Sequence, residues 1–180
     1  TSNRATENLE QNSVLCRFPA RVQWLTDTLN IDKSGLQTDC PELNDWMQKL
    51  APEQLSIMFA QEYLDNPISA FAHTLLRIDS KASVADPSQI HHAVALNYTV
   101  GGDSSDNFLV YAIKSMSGGY DNLIEIDPYP EKLAKYLQED ERDAWTYQLS
   151  LTPAEVQQIM LHVWETKDLK LPYYFTTDNC

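Results

Sequence analysis

The sequence has 180 residues, 43% of them apolar, with nine tyrosines and four tryptophans, which is enough to build a core and excludes a wholly disordered chain. Thirteen Lys and Arg stand against 26 Asp and Glu, for a net charge of −13. That balance excludes the basic surface that nucleic acid requires, and it disfavours broad adhesion to anionic headgroups.

Residues 1–15 are polar and weakly patterned and read as a flexible arm. From Phe18-Pro19-Ala20-Arg21 the spacing predicts a helix to Leu29 with Val22, Leu25 and Leu29 on its apolar face. Pro41 suits the first position of a second helix that carries Leu43, Trp46, Met47 and Leu50. These two helices form a predicted N-terminal helical part over 16–52.

Strand character begins at Leu55–Phe59 and returns at Thr74–Ile78 and Ala93–Tyr98. The polar stretch 81–90, with Pro87, is expected to be a loop. Phe108–Met116 has helical spacing and is closed by Gly118-Gly119. Leu123–Ile126 reads as a strand and Glu131–Leu137 as a short helix. Trp145–Leu149 alternates as a half-buried strand does. Thr152-Pro153-Ala154-Glu155 is a capping box with proline at the first helical position, and it opens a helix to about Thr166 with Val156, Ile159, Met160 and Val163 as its stripe. The whole is expected to be α+β: a mostly antiparallel sheet covered by helices, in one domain over 16–180.

No apolar run approaches the ~18 residues of a membrane span, and Thr1-Ser2-Asn3-Arg4 does not open a signal peptide. The stop on Cys180, where a helix should begin, suggests a segment of a longer chain, truncated at its C-terminus. Three cysteines invite a pair and a single thiol. A Cys16–Cys40 bridge would close a loop of about 25 residues, worth about 3 kcal/mol in the chain-entropy model. Two buried reduced thiols are the alternative.

Chemistry concentrates in two places. Cys180 follows Asp178-Asn179, residues favoured as helix N-caps, and a thiol in a first helical turn is shifted toward thiolate. His73 heads an apolar strand between Ala72 and Thr74, where an imidazole has room to act as a base. If the strands holding His73 and residues 93–98 are antiparallel neighbours, Asn97 falls beside His73 and orients its ring, as in Cys-His-Asn enzymes. Each also has an ordinary reading: a terminal cysteine, a core histidine, a sheet-end hydrogen bond. His91 and His92 are expected in solvent, and His162 lies on the long helix. No spacing suits a metal, and neither glycine pair forms a phosphate loop, so no metal or cofactor is expected.

Taken in order, several stretches resemble one bacterial envelope family. They are Cys16-Arg17-Phe18-Pro19-Ala20-Arg21, Tyr63-Leu64-Asp65-Asn66-Pro67, Phe71–Arg77 with His73, and Leu96-Asn97-Tyr98. Asp106-Asn107, Tyr111–Lys114, Gly118-Gly119-Tyr120, Arg142–Trp145, Tyr173-Tyr174-Phe175 and Asp178-Asn179-Cys180 continue the series. The family is that of the N-terminal periplasmic domain of Lnb, the lipoprotein intramolecular transacylase.

The resemblance implies a circularly permuted papain-like fold in which histidine precedes cysteine, as in the lecithin retinol acyltransferase group. It implies Cys180 as nucleophile and His73 as base, with Asn97 argued mainly from strand pairing. It further implies a periplasmic setting, a lipid or lipoprotein acyl substrate, and membrane association only through segments outside this chain. The chain departs from the pattern at Ala72, where the family has glycine beside the histidine, and at Pro130, where an aromatic residue is common. The expected activity is thiol-dependent acyl transfer or hydrolysis. The alternatives are a papain-like amidase acting on peptide or cell-wall bonds and a non-catalytic envelope binding module.

Overall fold

A computed structural model describes residues 14–36, 39–61, 73–101, 105–139 and 143–177. In chain order the elements are α1 (Val14–Arg17), α2 (Pro19–Leu29), a 3-10 turn (Lys33–Gly35), α3 (Pro41–Leu50), β1 (Pro52–Ala60) and β2 (His73–Ser80). Next come α4 (Lys81–Ala85), a 3-10 segment (Pro87–His92), β3 (Val94–Val100), α5 (Phe108–Ser117) and β4 (Tyr120–Pro128). The chain continues with α6 (Tyr129–Ala134), a π-helical turn (Lys135–Glu139), β5 (Ala144–Gln148), α7 (Pro153–Thr166) and β6 (Leu171–Tyr173). Among the described residues six strands form one sheet in the order β5-β1-β2-β3-β4-β6, and every pair is antiparallel. The α+β class and its antiparallel sheet are therefore as the sequence predicts.

Strand alternation assigns the two faces. One face presents Leu55, Ile78 and Leu96, which pack with Val156, Met160 and Val163 of α7. This helix is where the capping box predicts it. Thr152 Oγ1 accepts from the Glu155 N–H, and the Glu155 carboxylate accepts from the Thr152 N–H. The other face presents Met58, Ala60, Leu75 and Ala95, which pack with Tyr129 of α6 and Tyr136 of the π turn. The sheet is thus a middle layer, with α7 on one side and the α6 region on the other.

The N-terminal helices lie on the α7 side. Cys16 and Cys40 form a disulfide, so the bridged alternative holds. Around it Ala20, Leu43 and Leu161 are buried, and Trp46 packs on Trp164 with ring centroids 5.5 Å apart. Trp164 Nε1–H donates to the Cys16 carbonyl at 2.8 Å. Glu165 is buried on α7, where it accepts from the Arg21 N–H at 2.9 Å and pairs with Arg21 Nε at 3.1 Å.

Four local expectations need correction or qualification. The predicted apolar face of α2 is turned outward: Leu25 and Leu29 are exposed, and Ala20 and Thr26 are the buried residues. Thr26 achieves this because its hydroxyl donates to the carbonyls of Val22 and Gln23, leaving no unmet polar group. The stretch 81–90 is helical rather than a loop, because Ser80 caps α4 and Asp86 caps the 3-10 segment. Strand β5, at the sheet's edge, does not alternate in burial: Trp145 and Tyr147 on one face and Thr146 and Gln148 on the other are all exposed. Val14 and Leu15, read as part of an arm, already belong to α1, while residues 1–13 lie outside the described residues.

Candidate active site

His73 begins β2, directly opposite Ala60 at the end of β1. Strand β3 pairs with β2 through Leu76↔Leu96, Arg77↔Ala95 and Ile78↔Val94. This register puts Asn97 on the same face as Leu75 and His73, one diagonal step from the histidine. Asn97 is buried, and its Oδ1 lies 2.5 Å from His73 Nε2. An amide oxygen only accepts, so Nε2 carries the proton and donates it, and Nδ1 is the imidazole's basic nitrogen. The expected neighbourhood of His73 and Asn97 is thus present, and it rests on the strand pairing from which the sequence argument proceeded.

The surroundings of His73 are small or aromatic. Ala60 is fully buried beside it, and Ala144 of β5 stands opposite Ala60 on the far side. The Tyr136 ring lies 6.1 Å from the imidazole, centroid to centroid, at 32°. Tyr136 was hidden from sequence reasoning inside a predicted helix. The nearest signal is the aromatic and proline run that precedes it at Pro128-Tyr129-Pro130.

Further along the same face lies a second polar group that the sequence reading passed over. Asp79 is buried and accepts from Arg77 Nε at 2.9 Å and Nη2 at 2.7 Å, with the Ser56 and Ser83 hydroxyls each at 3.4 Å. Arg77 also covers the Tyr129 ring at 4.9 Å. Arg and Asp two residues apart on a strand share a face, which was the available clue. This network ties β1, β2, α4 and α6 together and stiffens the strand that carries His73. Lys132 of α6 reaches β4, pairing with Asp127 at 2.9 Å and Glu125 at 3.1 Å. Burial pulls its ammonium pKa down, but the hydrogen bonds and charges of Asp127 and Glu125 outweigh that and hold it above the ordinary lysine value.

The chain returns to this end of the sheet after α7. Strand β6 runs along β4, with Tyr120 opposite Tyr173, so it leaves the sheet at the end where β3 finishes and β4 begins. The Phe175 N–H donates to the Ser115 carbonyl of α5 at 2.9 Å, and the Tyr174 ring lies over Gly118. Gly118 has φ +75°, and a β-carbon there would come within 2.7 Å of that ring, so any other residue would be strained and would displace the Tyr174 ring. Cys180 itself lies outside the described residues, as does Ala72. Since Cys16 and Cys40 are bonded to each other, Cys180 is the one cysteine of the sequence outside the bridge. His91, His92 and His162 are all exposed.

The family model of the Lnb N-terminal periplasmic domain matches residues 42–180, most of the chain and all of the sheet. The chain belongs to the Lnb N-terminal periplasmic domain family. It is therefore a periplasmic, envelope-associated domain, and an oxidising compartment suits the Cys16–Cys40 bridge. Among the described residues no helix is long and apolar enough to cross a membrane. Neither the curated proteins nor the solved structures gave a match. The bridge and the α1–α2 segment precede the matched residues.

Proposed function

We propose that this Lnb-family domain is a thiol-dependent acyltransferase or acyl hydrolase of the cell envelope, with residues 16–180 acting as one unit. The observation that carries the reading is the hydrogen bond between His73 Nε2 and Asn97 Oδ1. It fixes one tautomer and leaves Nδ1 as the base, which is the division of labour in a Cys-His-Asn enzyme. The order of histidine before cysteine is that of a permuted papain-like fold.

What supports Cys180 as the partner is that the chain returns after β6 to the end of the sheet at which His73 lies, with Cys180 the one cysteine of the sequence outside the bridge.

In the reaction, His73 Nδ1 takes the Cys180 proton and the thiolate attacks an ester carbonyl. Collapse of the tetrahedral intermediate breaks the ester C–O bond, and His73 returns the proton to the leaving alkoxide. The resulting thioester passes its acyl group to an amine or to water, which regenerates the thiol. An ester-linked acyl chain of a lipid or lipoprotein is the substrate class that the family resemblance favours.

The test is the rate of Cys180 alkylation against pH in the full-length protein, with and without His73→Ala. The Cys16–Cys40 bridge removes the other two thiols of this sequence as competitors. A thiolate that titrates well below about 8.5, with a rate falling on the order of 10²-fold or more in the His73→Ala variant, is the expected result. A sluggish thiol indifferent to His73 would leave a non-catalytic binding module.

A further inference from the structure

Helix α7 covers only part of its face of the sheet, where it packs on Leu55, Ile78 and Leu96. Strand alternation carries that face on toward the end at which His73 lies. There Trp145 of β5 stands opposite Phe59 of β1, Phe59 opposite Thr74 of β2, and Tyr98 of β3 opposite Ile124 of β4. Thr74 and Tyr98 each lie two residues beyond the Leu76↔Leu96 pair, so they keep its face and complete a row across five strands. This row is open: Trp145 is 43% exposed and Tyr98 55%, and Tyr147, two residues along β5 from Trp145, is 60% exposed. The Trp145 and Phe59 rings pair across their strands with centroids 6.2 Å apart.

Helix α5 joins β3 to β4 at this same end and adds a second apolar surface. Its Tyr111 and Lys114 pack on Tyr120, which shares the parity of Ile124, so the helix adjoins the same face of the sheet. Phe108, Leu109, Ile113 and Met116 are left exposed. Exposed aromatic and aliphatic side chains on neighbouring strands and on an adjoining helix mark an interaction surface rather than scattered chance. None of these exposed positions carries a charge, although the chain has a net charge of −13.

We propose that this face docks on the surface of a lipid bilayer, with the Trp145, Tyr147 and Tyr98 rings at the headgroup boundary. Three observations select that occupant. The family places the domain in the periplasm, which membranes bound. Trp and Tyr are the side chains that settle where hydrocarbon meets water, because each has an apolar body and a polar tip. A charge of −13 repels a second copy of the chain, whereas a zwitterionic surface exerts no such repulsion on an uncharged face. The family resemblance assigns membrane association to segments outside this chain; the sheet supplies a further contact within it. Docked this way, the His73 end of the sheet is the end held at the lipid. The proposal goes beyond the acyl-transfer reading and does not use it.

The experiment is co-sedimentation of this chain with phosphatidylcholine vesicles, and with vesicles of equal parts phosphatidylcholine and phosphatidylglycerol. Expected is binding to the first and weaker binding to the second, with the gap closing at high salt as repulsion between the acidic chain and the anionic lipid is screened. Trp145→Thr and Tyr147→Thr keep β-propensity on β5, and each should lower the partition coefficient by about tenfold, the loss of one large buried side chain. Trp24→Gln is the control, since Trp24 is exposed on α2, away from this face, and binding should not change. If a β5 variant does not fold, hydrogen exchange of the unaltered chain with and without vesicles gives the answer, with slower exchange expected at 108–117 and 144–148. No binding to either vesicle, equal loss in the Trp24 variant, or exchange that vesicles leave unchanged would overturn the proposal. Self-association without lipid that the β5 variants abolish, with no vesicle binding, would overturn it in favour of a contact between copies. Neither readout involves Cys180 or His73, so this proposal and acyl transfer fail separately.

Discussion

The N-terminal helices are fastened by bonds that join distant parts of the chain, whereas the His73 end of the sheet is set by strand register and a side-chain hydrogen bond. In the first region a disulfide ties α1 to the start of α3, and the Trp164–Cys16 hydrogen bond and the Arg21–Glu165 pair hold α1 and α2 on α7. In the second, the antiparallel register of β1, β2 and β3 carries His73 and Asn97 to meeting distance. The contrast predicts that the N-terminal helices can be loosened without moving the histidine, since α7 and the sheet lie between them. The site tolerates little slippage: a one-residue shift in β2 or β3 would send His73 or Asn97 to the opposite face.

Met160 is the place to break both regions at once. It is fully buried in the cluster between sheet and α7. Met160→Ala is expected to cost about 2–5 kcal/mol, read from urea unfolding, and to weaken the seat of the N-terminal helices as well as the sheet.

Removing the bridge with Cys16→Ala and Cys40→Ala sharpens the contrast. A loss of about 3 kcal/mol is expected, again from urea unfolding. The His73 ring-nitrogen signals should stay as in the parent. A change in those signals would show that the N-terminal helices reach the site and that the two regions are coupled.

The smallest effect belongs to the cap of α7. Thr152→Ala should cost about 1 kcal/mol. The Thr152 N–H, then its hydroxyl, hold the Glu155 carboxyl below the ordinary carboxylate range. A carboxyl lowered by folding adds stability above its unfolded pKa of about 4.3, and that stability fades as pH falls through the folded value. Unfolding midpoints at pH 7 and pH 3 in parent and variant measure this, and the acid loss should be smaller without the threonine.

Several parts of this architecture were legible because one local signal sufficed. Thr152 to Glu155 states its own helix start, Gly118 states a helix end, and the apolar runs of β1, β2 and β3 leave few alternatives. From these, antiparallel pairing of β2 with β3 was enough to bring Asn97 to His73. Other features depended on what lay across the fold. Nothing near α2 says that Thr26 rather than Leu25 faces inward, because that choice is made by α7 and by the Arg21 link to Glu165. The exposure of Trp145 and Tyr147 follows from β5 lying at the sheet's edge, a fact of strand order. The helical turns of 81–92 were readable, since Ser80 and Asp86 are good caps, but Pro87 and the polar composition pointed to a loop. Tyr136 escaped because a π turn has no composition of its own.

The strand order also sets a timetable for folding. Strand β1 finds β2 nearby in sequence, but its other edge is closed only by β5, which follows after α5, β4 and α6. Until then the apolar run Leu55-Ser56-Ile57-Met58-Phe59 offers open backbone groups to any other strand. In the folded sheet β5 covers that edge, so the protection of β1 against pairing with another chain comes from a strand far along the sequence.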